Sequence, residues 1–322
     1  MNNFLKRYFI TQKMMRTVLL SLLPIVVFST YLYGLRVLLL LSIVIIMGTI
    51  TEYLWEKRRS KKVSEAVLVT SILYTMTLPV STPFWVASLG IIFGLFFGKL
   101  VFGGFGRNVF NVALVGRAFI YVNFPEPLTI SWNKVASGIQ GGFGTYITNG
   151  IDVVSEATPM ILFNNTGELT DIYSLITGIV PGSIGETSMV LIVLGAIYLV
   201  YKKVASWQIM ISSILGFLVT STVLYYFTDV TIANPIYGML LGGFLFGTVF
   251  MATDPISGAR TKKGKWIYGS LIGIVTVLIR GLSLFHGGVM FAILIANIFV
   301  PIIDYFVNEA SKAKKKNMEV TS

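Results

Sequence analysis

The sequence predicts an all-α polytopic membrane protein, with about ten transmembrane helices arranged as two inverted five-helix repeats. Three observations carry this. Over 322 residues, 55% are hydrophobic and only 12% charged, with a mean hydropathy of +0.79. A soluble domain of that size has no way to bury so much apolar surface, so the bilayer is the solvent. The apolar residues come in segments of roughly 16–22, long enough to cross a hydrocarbon core of about 30 Å. The basic residues gather in the short connections on one side of those segments.

Taken in order, spans are expected near 17–35, 37–55, 64–80, 83–102 and 108–122, then near 188–201, 206–227, 236–252, 266–284 and 288–307. Lys6, Arg7, Lys13 and Arg16 precede the first one. No small-residue cleavage site follows "PIVVFSTYLYG" and a second span comes at once, so the start reads as an uncleaved anchor. The basic clusters "EKRRSKK" (56–62), Lys99 with Arg107, Lys202 with Lys203, "ARTKKGK" (259–265) and "KAKKK" (312–316) fall on the side of the N-terminus. That side holds 21 of the 25 basic residues and is therefore cytoplasmic, with both termini. The segment 123–187 carries Glu126, Asp152, Glu156, Glu168, Asp171 and Glu186 against Lys134 alone, and lies outside. Its stretch 172–187, broken by Gly and Pro, reads as a re-entrant or interfacial piece.

This divides the chain into a five-helix membrane repeat (1–122), an extracytoplasmic loop (123–187) and a second five-helix repeat with a basic tail (188–322). An odd number of spans in the first repeat inverts the second. The tetrapeptide "LVTS" at 68–71 and 218–221, and Pro83 and Pro235 at the openings of the next spans, add faint internal echoes. The net charge of +11 follows from cytoplasmic retention of Lys and Arg, not from nucleic-acid binding.

Absent residues limit the chemistry. With no cysteine, disulfides and cysteine-held iron–sulfur clusters or zinc are excluded within this chain. One histidine, His286, makes no multi-His metal or haem site and reads as structural or interfacial. Redox work here requires an organic cofactor.

Three polar places interrupt the apolar pattern. "GKLVFGGFGRNVFNVALVGRAF" (98–119) has glycines for close backbone approach, and its Asn108 and Asn111 face the same way if helical. They suit either an interhelical hydrogen-bonded pair or a polar cofactor edge. In "FMATDP" (250–255), Asp254 stands before Pro255 and serves either as a cap or as a ligand acid at the matching place of the second repeat. The third is the loop stretch "DVVSEATPM" (152–160), which by composition alone is a solvated loop. Arg117 and Arg280, inside spans, are expected to snorkel or pair. Glu65 and Asp304 read as caps or interfacial residues.

"D-V-V-S-E-A-T" is similar to the site at which a flavin transferase esterifies a threonine hydroxyl with FMN. "GGFGRNVFNVALVGRAFIYVNFP" and "FMATDP" resemble the paired signature segments of the membrane family that contains RnfD and NqrB. The resemblance runs over roughly residues 60–300. It departs at Asn111-Val112-Ala113, where many members have Asn-Pro-Ala, and at Glu156, where Gly or Ser is commoner. About 16 residues precede the first span, whereas NqrB-type chains carry a longer cytoplasmic extension, so RnfD is the expected relative.

The resemblance implies a fold like that of urea transporters and a covalent FMN on Thr158, presented by Asp152 and Ser155, with small Ser155 and Ala157 leaving the approach open. It also implies a non-covalent riboflavin near Asn108, Asn111 and Asp254. It implies a place in an Rnf-type ferredoxin:NAD oxidoreductase in a prokaryotic cell membrane, where this subunit is not catalytic alone. The partners would be other subunits, among them a second FMN-bearing one, with a flavin transferase for maturation. Electrons would pass between the two flavins, coupled to Na⁺ or H⁺ movement. The rivals are a small-solute transporter or channel, which leaves the loop motif without a purpose, and a scaffold subunit with vestigial flavin sites.

Overall fold

The computed structural model describes residues 9–130, 132–136, 140–144, 157–186, 188–283, 285 and 287–321, with side chains as far as 314. Among them the regular structure is helical apart from two short strands, β1 (Phe9–Ile10) and β2 (Val63–Ser64), which pair in parallel.

The first half contains α1 (Lys13–Tyr33), α2 (Arg36–Lys57), α3 (Ala66–Met76), α4 (Phe84–Leu95) and α5 (Val112–Asn123). A π turn, Phe96–Leu100, prolongs α4. The outer segment holds the short helices α6 (Glu126–Thr129), α7 (Pro159–Thr166) and α8 (Ile172–Thr177). The second half has α9 (Met189–Tyr201), α10 (Trp207–Phe227), α11 (Pro235–Leu240), α12 (Phe244–Phe246) with a π turn at Gly247–Met251, α13 (Lys262–Leu282) and α14 (Val289–Thr321).

Five helices are long and apolar enough to cross a bilayer: α1, α2, α10, α13 and the 289–314 part of α14. Residues 66–76, 84–100, 112–123 and 189–201 form shorter apolar helices. The chain is a multi-pass, all-α membrane protein. One buried apolar core runs through both halves, from Leu22 and Leu40 to Ile272 and Ile293.

Local chemistry sets many helix starts. The side chains of Asn111, Thr158, Asp171, Asn234 and Thr261 each accept a backbone N–H in the first turn that follows. Asp304 in α14 holds the last of these caps, accepting the backbone N–H groups of Arg260 (2.9 Å) and Thr261 (3.0 Å) and the Thr261 hydroxyl (2.6 Å). Its expected capping role is met.

Three expected spans differ. The span near 64–80 is helical only to Met76. The span near 108–122 starts at Val112, because Asn111 is extended and caps it. Asn108 and Asn111 therefore do not share a helix face. The span near 236–252 is broken at Leu241–Gly243, with Gly242 (φ 58°) and Gly243 (φ 65°) in the left-handed region. A β-carbon on Gly243 would also collide with the Glu186 carboxylate.

A broken helix exposes carbonyls that lipid cannot satisfy. Each half answers with a buried arginine. Arg36, 3% exposed, donates Nε–H to the Val80 carbonyl (2.7 Å), and its Nη2 reaches the Ser81 and Thr82 carbonyls at 3.4 and 3.3 Å. Arg280, 8% exposed, donates to the carbonyls of Gly238 (2.8 Å), Leu241 (2.9 Å) and Gly242 (3.1 Å). Residues 178–186 are wedged against the first break. Gly185 N donates to Met76 O (2.6 Å) and Ile184 N to Leu78 O (2.9 Å), while Ser29 and Tyr33 of α1 donate to Ile184 O and Val180 O. Met160, Leu175 and Val180 form a second small core with Ala233, Tyr237 and Leu241 beside the other break. The expected re-entrant piece is a strap between the two breaks.

Arg280→Met removes donors from three carbonyls at once. Hydrogen bonds from a charged donor contribute about 1.5–3 kcal/mol each, part of it offset by relaxation. We expect a loss of about 3 kcal/mol in unfolding free energy in detergent. A loss below about 1 kcal/mol in that measurement would remove the arginine from this role.

Candidate functional site

Two cavity systems lie along α1 and α5. The first is a cleft enclosing about 740 Å³, part of it open to solvent. Its apolar wall includes Met15 and Val18 of α1, and its polar wall holds Lys99, Asn108, Asn111 and Asp254. The three residues singled out in two distant sequence motifs thus meet in one place.

Each is held differently. Asn111 is fully engaged: Oδ1 accepts Leu114 N (3.2 Å), Nδ2 donates to Met251 O (3.2 Å), and its backbone N donates to Asn297 Oδ1 (3.0 Å). Asn297 continues the network by donating to Ser257 O (3.1 Å) and the Tyr268 hydroxyl (2.8 Å). Asn111 is therefore chiefly the interhelical link between the two π-turn regions. Asn108 spends its Nδ2 on the nearby Phe110 carbonyl (3.2 Å), and its Oδ1 accepts no hydrogen bond among the described residues. Asp254 accepts Ile256 N (3.1 Å) and the Ser257 hydroxyl (2.8 Å), which tie it into the turn after the π helix. Burial raises its carboxyl above the ordinary carboxylate range, and those hydrogen bonds only partly oppose this.

Sequence reading counted Lys99 among the cytoplasmic basic residues and gave no sign of its burial. Lys99 is 2% exposed, with Nζ 2.7 Å from Glu52 Oε2 and 2.8 Å from Ser64 Oγ. Ser64 donates to Glu52 Oε1 from both its hydroxyl (2.7 Å) and its backbone N (3.0 Å). Lys99 lies in the π turn, which packs it inward against α2; its spacing from the next basic residue carried no hint of this.

The second system surrounds Thr158 with two adjoining cavities of about 430 and 480 Å³. Tyr33, Gly182, Glu186 and Gly242 line the first; Arg117, Tyr121, Trp132 and Glu186 line the second. Thr158 is half-buried and Ala157 exposed. The Thr158 Oγ1 caps α7 by accepting Ile161 N (3.3 Å), so its hydroxyl sits at the N-terminus of that helix. Arg117 Nε is buried without a partner among the described residues. Sequence reading missed Glu186, which lies at the junction; its only signal was being the last acid of the outer segment. Asp152, Ser155 and Glu156, together with His286, lie outside the described residues.

α1 spaces the two systems. Met15 lines one and Tyr33 the other, 18 residues apart or about 27 Å along the axis. Their inner walls are much closer, since Ala113 and Arg117 of α5 are one turn apart, about 6 Å.

With that geometry in view, comparison with known proteins gives the lineage. The model of the NQR2, RnfD, RnfE family matches residues 2–312. The chain belongs to this family. Among its relatives, the B-type chain of the Na(+)-translocating NADH-quinone reductase of Chromohalobacter salexigens is 41% identical over 278 residues, covering 82% of this chain and 64% of that protein. The protein of the same name from Yersinia pestis is 35% identical over 292 residues, with 85% and 67% covered, and one from Neisseria meningitidis serogroup A is 38% identical over 283, with the same shares. The chain spans about two thirds of the length of these curated relatives. In this family member Val112, where proline was expected, is the first residue of α5 rather than the site of a break. Proline is also well suited to that position, so the departure is conservative.

A pH test addresses Asp254. Folding holds its carboxyl above the ordinary range, so the charged form is disfavoured in the folded state. The wild type therefore loses stability as pH rises from the unfolded value through the folded one, and the amide variant does not. Asp254→Asn is expected to unfold at an equal or higher temperature than wild type at pH 8, with the gap closing toward pH 4. A gap that widens as pH falls would show the opposite sign.

Proposed function

We propose that this chain is the flavin-carrying membrane subunit of an ion-translocating electron-transfer complex, holding FMN covalently on Thr158 outside the membrane and riboflavin in the cavity of Asn108, Asn111 and Asp254. One observation supports the reading: the cavities beside Thr158 and the cavity of Asn108, Asn111 and Asp254 stand at the two ends of α1, while their walls come within one turn of α5. A solute channel would need a through-path, and gains nothing from a half-exposed threonine at a helix N-terminus.

Flavins, when bound, supply one- and two-electron transfer, which no side chain of this protein provides. The chain's own residues bind and orient. The Thr158 hydroxyl offers Oγ for a phosphoester, and exposed Ala157 leaves a transferase room to approach. The positive end of α7 and the Arg117 Nε, unpaired among the described residues, suit a phosphate dianion. Asp152 and Ser155 are assigned to presenting the loop. In the inner cavity Asn108 offers a free amide oxygen to a ring N–H, and Asp254 offers its carboxyl group to the ring edge. The apolar wall of Met15, Val18 and Phe250 excludes water. Moving an electron through so low a dielectric favours a compensating cation, Na⁺ or H⁺, across the same bundle. The inverted five-plus-five repeat belongs to this reading, supported by one broken span per half, each held by an arginine.

The complex read from sequence is of the Rnf kind, exchanging electrons between ferredoxin and NAD with a second FMN-bearing subunit as neighbour. The names of the relatives favour a second reading, an NADH:quinone reductase of the Nqr kind. Purified complex that reduces quinone from NADH without ferredoxin selects the second reading; ferredoxin-dependent NAD reduction selects the first.

Thr158→Ala is expected to abolish the ultraviolet-fluorescent band of this subunit on a denaturing gel, while Thr158→Ser keeps it and both variants reach the membrane at wild-type yield. A fluorescent band surviving in the alanine variant would refute the attachment.

A further inference from the structure

The Lys99–Glu52 pair has no part in the function above, yet one end of it borders the inner cavity. Lys99 is a cavity-wall residue and Glu52 is not. The pair is nearly sealed from solvent, at 2% and 1% exposure. Glu52 is saturated on both oxygens by Lys99, Ser64 N and Ser64 Oγ. The ammonium is not saturated. It spends two of its three N–H groups on Glu52 Oε2 and Ser64 Oγ, leaving the third without an acceptor among the described residues. A charged donor this deeply buried costs free energy if it stays unpaired. The Phe105 ring, 5.9 Å from Nζ, gives only weak cation–π compensation.

A buried ion pair is electrically neutral at a distance but strongly dipolar at short range. Here the negative end is locked against β2 and the positive end faces a cavity. Asp254 and Asn108 share that wall, and neither donates nor accepts a hydrogen bond with Lys99 among the described residues. The site is therefore polarised, with its one paired cation waiting for an acceptor that gains negative charge.

We propose that Lys99 supplies the third donor to the pyrimidine edge of the flavin in this cavity, so that the Lys99–Glu52 dipole raises that flavin's reduction potential. This rests on the reading that the cavity holds a flavin. A flavin ring gains negative charge along its N1–C2 carbonyl edge on reduction, and a nearby cation in low dielectric stabilises that form over the oxidised one. Two elements of the fold serve this placement. The π turn at Phe96–Leu100 points Lys99 inward, and Glu52 with Ser64 prevents the ammonium from turning away.

The test uses the whole complex, purified in detergent, and equilibrium redox titration of the flavin that denaturation releases without covalent attachment. Lys99→Met is expected to lower the ratio of reduced to oxidised flavin at fixed ambient potential at least tenfold, about 30 mV for a two-electron couple. Lys99→Arg, which keeps the charge, is expected to stay within threefold of wild type. The double variant Glu52→Gln/Lys99→Met carries the argument if the single one fails to assemble, because it leaves no lone buried charge. If the pair is only a staple between α2 and the π turn, the double variant titrates like wild type, and so does any single variant that folds; either result overturns the proposal. If the field acts on the flavin, the double variant keeps the tenfold loss. Wild-type complex that releases no non-covalent flavin defeats the cavity reading itself and the proposal with it, an outcome distinct from a released flavin that is indifferent to Lys99.

Discussion

The bilayer's refusal of unpaired backbone carbonyls is the constraint from which most of this architecture follows. A membrane helix hides its own polar groups, and a broken one does not. This chain breaks one span in each half, after Met76 and at Leu241–Gly243, and meets both breaks with a buried guanidinium. Arginine suits the task because a planar group with five donors reaches two or three carbonyls at once and stays charged at depth. Lysine could not cover the same arc. Once the breaks are held open, residues 178–186 are able to wedge against the first of them and bring Glu186 against Gly243 at the second. The outer cavities beside Thr158 exist because that strap is there.

The two cavity systems follow from the same economy of helix ends. Each π turn ends in a loop rather than a regular helix, and these loops bring Asn108, Asn111 and Asp254 to one place. Asn111 joins them directly, through its amide to the Met251 carbonyl and its backbone to Asn297. A residue that first reads as a cofactor ligand is thus also the bolt that forms the cavity. The two roles are compatible, since a cofactor site needs rigid walls more than it needs every wall residue to touch the cofactor.

α5 is where the two systems meet. At 12 residues it is too short to span a bilayer alone, and its two ends border different cavities. Under the proposed function, so short a helix shortens the path between the two bound groups. A long straight helix would have separated the same sites by a full membrane thickness.

Much was legible in the residues alone. Apolar segment lengths and the one-sided distribution of Lys and Arg pointed to a polytopic membrane protein, because hydration of charge and exclusion of lipid from polar backbone act at the scale of a single segment. Motif spacing brought Thr158, Asn108, Asn111 and Asp254 forward, and the last three do converge. What stayed hidden depends on contacts between distant segments. The burial of Lys99 had no local signal, because a π turn carries it onto Glu52, 47 residues away. Arg117 and Arg280 stood out as charges inside apolar spans, but their partners are carbonyls and cavity walls that no local pattern specifies. The shared helical face imagined for Asn108 and Asn111 gave way to an extended cap, since whether Asn111 continues a helix or starts one is decided by Met251 and Asn297. The order of residues was enough to name the solvent, the segments and the candidate chemistry. Which charges are buried, and what they hold, was settled in three dimensions, because burial is a property of packed neighbours and not of any one stretch of chain.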